Sequence, residues 1–360
     1  MKIKLKIISI LLCVVISVLT VCTVCSAVHA FGDADGDGNI TPADARLVLR
    51  AAIGLDTVSN RSIMDVDGDS EITPSDARLV LRYSVGLENT LPVERSQTPF
   101  AISADPSAKY ALLYDATDHQ VLFSKNSAER TAPASLVKLL TAVTALKYCS
   151  ENQVFHVGDE IDLIEYNSSV CYLQKGWDAS LKTLLTGMLS SSGNDAAYCV
   201  AVNVARSRYP GISDKEAVNI FVGLMNQTAD AIEMQNSHFL NPDGYDADGQ
   251  YSTAEDLLLL AKTALEDSTI RTICGKYRIE AYLANGKGVT WYNTNRMLNP
   301  NDAFYHSAVT GLKTGSTAAA GNCIIVSFNR AGREMIAVIL GAVSDDERYR
   351  SAEALMQALD

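Results

Sequence analysis

Apolar and polar positions change their rhythm several times along the 360 residues. Behind Lys2, Lys4 and Lys6, an apolar run extends from Ile7 to about Val24. Acids then recur at alternate positions twice. Each time a short helical pattern follows, opened by Thr41-Pro42 or Thr73-Pro74, a cap residue and a proline suited to the first helical position. Residues 89–107 have no period and read as a linker. Lys109–Asp115 and Gln120–Ser124 read as strands joined by the turn residues Ala-Thr-Asp-His, hence a hairpin. Past Lys138 the stretch to Leu146 is apolar nearly all round, which predicts a buried helix and not a surface one. Asp178 or Ser180 caps an amphipathic helix ending near Leu189, and another helix starts at Asp195. Strand patterns return at His306–Leu312, Cys323–Phe328 and Glu334–Leu340, and a helix over Asp345–Leu359 follows. Apolar strands at both ends of residues 108–360, with helices between, predict an α/β domain of the α+β kind. One antiparallel sheet comes from the two ends, a helical subdomain from the middle, and a cleft lies where they meet.

Val28-His-Ala30, after the first apolar run, is a small-residue cleavage site, so residues 1–30 read as a secretory signal peptide. A retained anchor is the alternative, because the run approaches spanning length. Neither Cys22 nor Cys25 has the small residue before it that a lipoprotein site needs. The leader holds three lysines and no acids, so its removal takes the net charge from −12 to −15. Such a chain does not bind nucleic acid or an anionic membrane surface by charge alone. Five cysteines remain, Cys149, Cys171, Cys199, Cys274 and Cys323, an odd number at irregular spacing that fits small core residues and not a disulfide framework or zinc site. The histidines show no ligand spacing.

Residues 33–55 and 65–87 are an internal repeat offset by 32 positions, sharing Ile-Thr-Pro-x-Asp-Ala-Arg-Leu-Val-Leu-Arg from Ile40 and Ile72. Asp33, Asp35, Asp37 and Asp44 in the first copy, and Asp65, Asp67, Asp69 and Asp76 in the second, fall at the ligand places of an EF-hand calcium loop, with Asn39 and Glu71 at the backbone-carbonyl place. The last ligand is Asp and not Glu, and no entering helix is read before either loop. Loop plus exit helix, twice, over residues 31–88 resembles a type I dockerin. That resemblance implies two structural Ca2+ ions and a cohesin module of a scaffold or surface protein as partner. The tenth and eleventh loop positions, often a hydroxyl pair in dockerins, are here Pro42-Ala43 and Pro74-Ser75, which leaves the choice of cohesin open. From Phe31 to Thr90 eleven acids face five arginines, so the module is expected to be loose without metal.

The chemistry begins at Thr131-Ala-Pro-Ala-Ser135-Leu-Val-Lys138. Three residues apart at a helix start, Ser135 and Lys138 share a face, and a lysine desolvated there can take the serine proton as a neutral amine. Ser-x-x-Lys alone is a weak signal. Ser192-Gly-Asn194 lies between two predicted helices and Lys313-Thr-Gly315 follows a strand pattern, although Ser-x-Asn also occurs at Ser124, Ser150 and Ser327. The three motifs in this order resemble the penicillin-recognising serine acyl-enzymes, the fold of penicillin-binding proteins and β-lactamases. Met225-Asn-Gln-Thr-Ala-Asp, His238-Phe-Leu-Asn-Pro-Asp-Gly-Tyr245, Tyr251-Ser-Thr-Ala-Glu-Asp256, Asn293-Thr-Asn295 and Gly311-Leu-Lys-Thr-Gly-Ser-Thr317 are similar to one branch, the D-alanyl-D-alanine carboxypeptidases.

The resemblance implies roles for these residues. Ser135 attacks the carbonyl between two D-alanines with Lys138 as base, and the backbone N–H groups of Ser135 and Ser316 hold the oxyanion. Ser192 relays a proton to the leaving amine, Asn194 holds the substrate amide, and Lys313 and Thr314 bind the terminal carboxylate, with Gly315 and Ser316 beside them in the substrate site. Ser316 stands where relatives often carry Tyr or His. Peptidoglycan stem peptides are the expected substrate, β-lactams the expected inhibitors, no cofactor is expected for catalysis, and the catalytic domain is expected to be a monomer. The expected location is extracellular, at the cell surface or in the wall, with the dockerin giving the attachment. A D,D-endopeptidase that cuts cross-links uses the same residues. A class A β-lactamase would need a Glu-x-x-Leu-Asn pattern that does not occur between Asn194 and Lys313, and a non-catalytic scaffold component would not need all five polar residues intact.

Overall fold

A computed structural model describes residues 31–56, 61–67, 71–88, 91, 102 and 104–359. The leader, most of the linker and Asp69 lie outside the described residues. Among these residues no helix is long and apolar enough to cross a membrane. The chain divides between Thr98 and Pro99 into two compact units.

In the first unit, helices α1 (Pro42–Ala52) and α3 (Pro74–Ser84) are the exit helices expected from the repeat. Thr41 and Thr73 cap them, and Asp44 and Asp76 at the third helical position return the hydrogen bond to the cap backbone. This reciprocal pairing satisfies two donors that a helix start otherwise leaves open. Val48 and Val80, 32 positions apart, are both fully buried in the small shared core with Ala45, Met64, Val66 and Ala77. One expectation fails: a helical turn, α2 (Arg61–Met64), leads directly into the second loop. A single turn has too little apolar periodicity to be seen in sequence.

The second unit opens with the expected hairpin, β1 (Tyr110–Asp115) and β2 (Gln120–Lys125). The central helix α4 (Val137–Tyr148) buries residues all round, with Leu139, Leu140, Ala142 and Ala145 at 0% exposure. Each buried leucine contributes about 1.5–3 kcal/mol. A small sheet, β3 (Val154–His156) with β4 (Asp178–Ser180), precedes α5 (Leu181–Ser190), which Ser180 caps. Then come α6 (Asn194–Arg208), α7 (Asp214–Ala231), α8 (Ala254–Glu266) and α9 (Ser268–Cys274). The hairpin β5 (Arg278–Tyr282) and β6 (Gly288–Tyr292) was not anticipated, although Asn285-Gly286 marks its turn. The chain returns to the sheet with β7 (Val309–Thr317), β8 (Gly321–Arg330) and β9 (Arg333–Ala342), followed by α10 (Asp345–Gln357).

The main sheet runs β2-β1-β9-β8-β7, antiparallel between neighbours, and so joins the first strands of the unit to the last as expected. Its strands are apolar on both faces because both faces are covered. Leu112, Ile325, Ile336 and Val338 belong to the core with the helical middle, whereas Leu113, Ile324, Val326 and Ala337 pack with Tyr349, Ala352 and Leu355 of α10. The five cysteines are free and buried, as small core residues.

Two boundaries differ in a way that bears on the site. The α-helix starts at Val137, and Ser135 lies in a 3-10 turn, Ala134–Leu136, ahead of it. β7 starts three residues later than the apolar pattern suggested and runs through Lys313-Thr-Gly315, so that motif lies within a strand. Polar residues on an edge strand break the apolar rhythm without breaking the strand. β7 is that edge.

Candidate active site

The turn that carries Ser135 is clamped by two glycines. Ala134 holds a φ of +50°, a left-handed conformation that costs an L-residue about 1–3 kcal/mol. A Cβ on Gly244 would lie 1.9 Å from the Ala134 carbonyl oxygen, and one on Gly315 would lie 3.0 Å from the Ser135 nitrogen. Only glycine lets the loop at 244 and the strand β7 close this far onto the serine backbone. Gly244 itself has φ +84°. Gly244→Ala is therefore expected to lower the melting temperature of the second unit by several degrees, by strain of at least about 1–3 kcal/mol. An unchanged melting curve would remove the clamp.

Lys138, the second residue of α4, is fully buried and donates from Nζ to Ser135 Oγ at 2.8 Å and to the Asp243 carbonyl at 2.6 Å. Burial pushes its ammonium down to about 8, against the pull of Asp243 and Asp195. The helix has no polar face, so nothing hydrates the charge. Asp243 is buried too, which raises its carboxyl, while Lys138 pulls the other way.

Ser192 sits between α5 and α6 as expected, and Asn194 is the first residue of α6, one position before the expected start. Ser192 adopts φ +58° and its hydroxyl accepts from Lys313 Nζ at 3.0 Å. Lys313 also donates to its neighbour's carbonyl, Thr314 O, at 2.9 Å. It is fully buried, and burial, with the charges of Lys138 and Arg348, holds its amine well below the usual lysine range. The side-chain contact of Lys313 is thus with Ser192. Asn194 is 4% exposed; its Nδ2 donates to Ser168 Oγ at 2.9 Å, while Oδ1 is buried and has no partner among the described residues. Thr314 Oγ1 lies 2.6 Å from Thr294 Oγ1.

A cleft of about 590 Å³ opens over these groups, lined by Ser135, Asn194, Ser316, Ser168, Tyr245, Asp246 and Thr317 among others. Ser135, Asn194 and Ser316 reach its surface. Lys138, Ser192, Lys313 and Thr314 form the wall behind, each at most 6% exposed. Such a layout can make an alkoxide at Ser135 and present donors and an edge strand to a peptide.

The sequence profile for D-alanyl-D-alanine carboxypeptidase matches residues 95–344, more than two thirds of the chain. The chain belongs to the D-alanyl-D-alanine carboxypeptidase family. Among its relatives, the D-alanyl-D-alanine carboxypeptidase DacF of Bacillus subtilis is 32% identical over 247 residues, 67% of this chain and 59% of that protein. DacC of Escherichia coli, of the same name, is 31% identical over 271 residues, 72% of this chain and 62% of that protein. The chain thus spans about six tenths of the length of these relatives. A Streptomyces DD-transpeptidase superposes with a TM-score of 0.64 at 27% identity, over 71% of this chain and 97% of that one. A penicillin-binding protein of Listeria monocytogenes in its ampicillin-bound form gives 0.58 at 25%, over 71% and 98%. Residues 31–83 match the dockerin type I domain, so this family member also carries a dockerin.

Several residues of the site were not foreseen. Asn241-Pro-Asp-Gly carried the resemblance with no role of its own, and it delivers the Asp243 carbonyl to Lys138 and Gly244 to Ala134. Arg348, in the first turn of α10, is 6% exposed and donates from Nη1 to Gly315 O at 3.2 Å and to Ser316 Oγ at 3.0 Å, while Nη2 pairs with Asp345. Nothing in the sequence singles this arginine out; the packing of α10 on β8 and β9 brings it to the motif.

The dockerin acids form two groups. Ligand oxygens of Asp33, Asp35 and Asp37 lie within 4.8 Å of one another, and so do those of Asp65, Asp67 and Asp76. Asp33 and Asp67 are nearly buried, at 3% and 5% exposure. Clustered carboxylates supply hard oxygen donors and repel one another without a cation, so the donor set fits Ca2+. Asp44 accepts from Asp35 N at 3.1 Å and Thr41 N at 2.8 Å, tying the first loop to its exit helix as Asp76, which accepts from Asp67 N at 3.3 Å and Thr73 N at 2.8 Å, ties the second. Asn39 donates from its backbone N to Asp37 Oδ1 at 2.7 Å, and Glu71 is exposed.

Proposed function

We propose that the chain is a secreted serine-type D-alanyl-D-alanine carboxypeptidase, ordered as a leader (1–30), a dockerin (31–88), a linker (89–107) and a catalytic domain (108–360). The observation that carries the reading is the 2.8 Å contact between a fully buried Lys138 amine and Ser135 Oγ at a peptide-sized cleft. Neutral Lys138 takes the Ser135 proton as Oγ attacks the carbonyl between the last two residues of the stem peptide. The oxyanion forms against the backbone N–H groups of Ser135 and Ser316, a reading supported by the close approach of Gly315, the residue before Ser316, to the Ser135 nitrogen. Ser192, bonded to Lys313, returns a proton to the leaving D-alanine amine, and the acyl-enzyme is released by water. Asn194 Oδ1, without a partner, accepts from a substrate amide. The peptide lies along the free edge of β7, with its carboxylate toward Lys313, Thr314 and Arg348.

In the first unit Asp33, Asp35 and Asp37, and Asp65, Asp67 and Asp76, would each hold one Ca2+, which neutralises their carboxylates and fixes the loops against the exit helices. A cohesin module is the partner this dockerin offers itself to, which places the enzyme on a scaffold or cell surface.

A labelled penicillin should attach covalently, and peptide mapping should place it on Ser135. A label that survives Ser135→Ala overturns the assignment. Muropeptide mass spectrometry should show loss of one terminal D-alanine; cleaved cross-links without that loss would favour the endopeptidase.

A further inference from the structure

One carboxylate in the cleft has no part in the acyl transfer. Asp246 follows the clamp at Gly244, and its Oδ2 accepts from Ala319 N at 2.9 Å, in the turn that joins β7 to β8. Its Oδ1 is shielded from solvent and has no hydrogen-bond partner among the described residues. Asp246 lines the same cleft as Ser135. A shielded carboxylate oxygen without a donor is unfavourable, and a charged donor satisfies it best.

The charges in this cleft are arranged along β7. Positive groups gather at one end, where Lys313 bonds Ser192 and Arg348 bonds Gly315 and Ser316. Asp246 stands at Ala319, three residues beyond Ser316. With the penultimate residue's carbonyl at the Ser316 N–H and the carboxylate toward Lys313 and Thr314, a peptide antiparallel to β7 that advances about 3.3–3.6 Å per residue carries its third residue from the end past Ser316, toward the turn where Asp246 meets Ala319. That residue is the one before D-alanyl-D-alanine. A ligand that fits both ends is negative at its terminus and positive two residues earlier.

We propose that Asp246 is a specificity-determining residue that accepts a hydrogen bond from a free side-chain amine on the residue preceding D-alanyl-D-alanine; the assignment rests on the carboxypeptidase reading above. An ammonium there satisfies Oδ1 and carries the matching charge. Acylation of that amine removes the charge, as happens when the side chain is used in a cross-link. The enzyme then discriminates for stem peptides whose diamino residue is still free.

Two peptides test this, Nα-acetyl-lysyl-D-alanyl-D-alanine with its side-chain amine free and the same peptide with that amine acetylated. Release of D-alanine by the full-length protein should give a kcat/KM about tenfold or more higher for the free amine, the scale of one charge-assisted hydrogen bond. Asp246→Asn keeps an acceptor for Ala319 N but offers Oδ1 no negative charge, and should bring the ratio to within about twofold of unity. High salt should shrink the wild-type ratio, an arm that needs no variant. Equal rates on both peptides in the wild type, or an unchanged ratio in Asp246→Asn, overturn the assignment while leaving the carboxypeptidase reading intact. Failure to turn over either peptide, with no penicillin adduct on Ser135, sinks both.

Discussion

Lys138→Arg should leave Ser135 in its turn and still cut the rate of penicillin acylation by about 10² or more. The charge is kept and the helix position is the same, but a guanidinium does not give up its proton near neutral pH. The wild-type profile should carry the same signature. With the Lys138 ammonium held at about 8, the neutral amine is about a tenth of the population at pH 7, so acylation should rise nearly tenfold from pH 6 to 7 and level off above about 8 to 9. Stopped-flow labelling across that range reads it directly. A flat profile, or near-normal acylation in the arginine variant, removes Lys138 as the base. Stability follows the same group with a defined sign. Between about 8 and 10.5 the unfolded chain holds this proton and the folded chain does not, so Lys138 makes stability climb with pH in that window and adds no slope below it.

Chelation of calcium should unfold the first unit and leave the second at work. Every acid group with ligand geometry among the described residues lies at or before Asp76, while Ser135 and Lys138 belong to a separate compact unit. Three carboxylates within 4.8 Å of one another in each loop repel once uncovered, and the core beneath them is only a handful of alanines and valines with one methionine. Metal binding is then folding free energy for this module. With excess chelator, amide exchange should lose protection across α1 and α3, and capture by a cohesin should vanish. Release of D-alanine from a soluble peptide should stay within about a factor of two, since distant sites without shared partners act independently. Loss of peptidase activity on chelation, with the penicillin label still bound, would mean that the two units are coupled.

The sheet was legible because covered faces on both sides force unbroken apolar runs such as Ile336–Leu340, and the central helix was legible for the same reason. The serine motifs were legible as spacing. Their wiring was not: Lys313 to Ser192 crosses 121 positions, and Lys138 to Asp243 crosses 105, so neither contact leaves a local trace. Arg348 and Asp246 are polar residues in helix-start and turn positions, where polarity is the default and carries no information. The dockerin repeat was plain because the twelfth place of each calcium loop is also the third position of its exit helix, and Asp44 and Asp76 both cap that helix.

The order of strands has a consequence for the chain as it is made. β9 lies between β1 and β8, and Leu112 pairs with Val338, 226 positions later. Until β9 arrives, the hairpin of β1 and β2 has an open, apolar edge, and every residue of the site from Ser135 to Lys313 has already left the ribosome without the sheet that clamps it. Closing so long a loop is slow, and an uncovered edge invites pairing with a second chain. Nascent or truncated forms that lack β9 should be inert toward β-lactams and prone to aggregate, which makes β-lactam labelling a readout of completed folding for this protein.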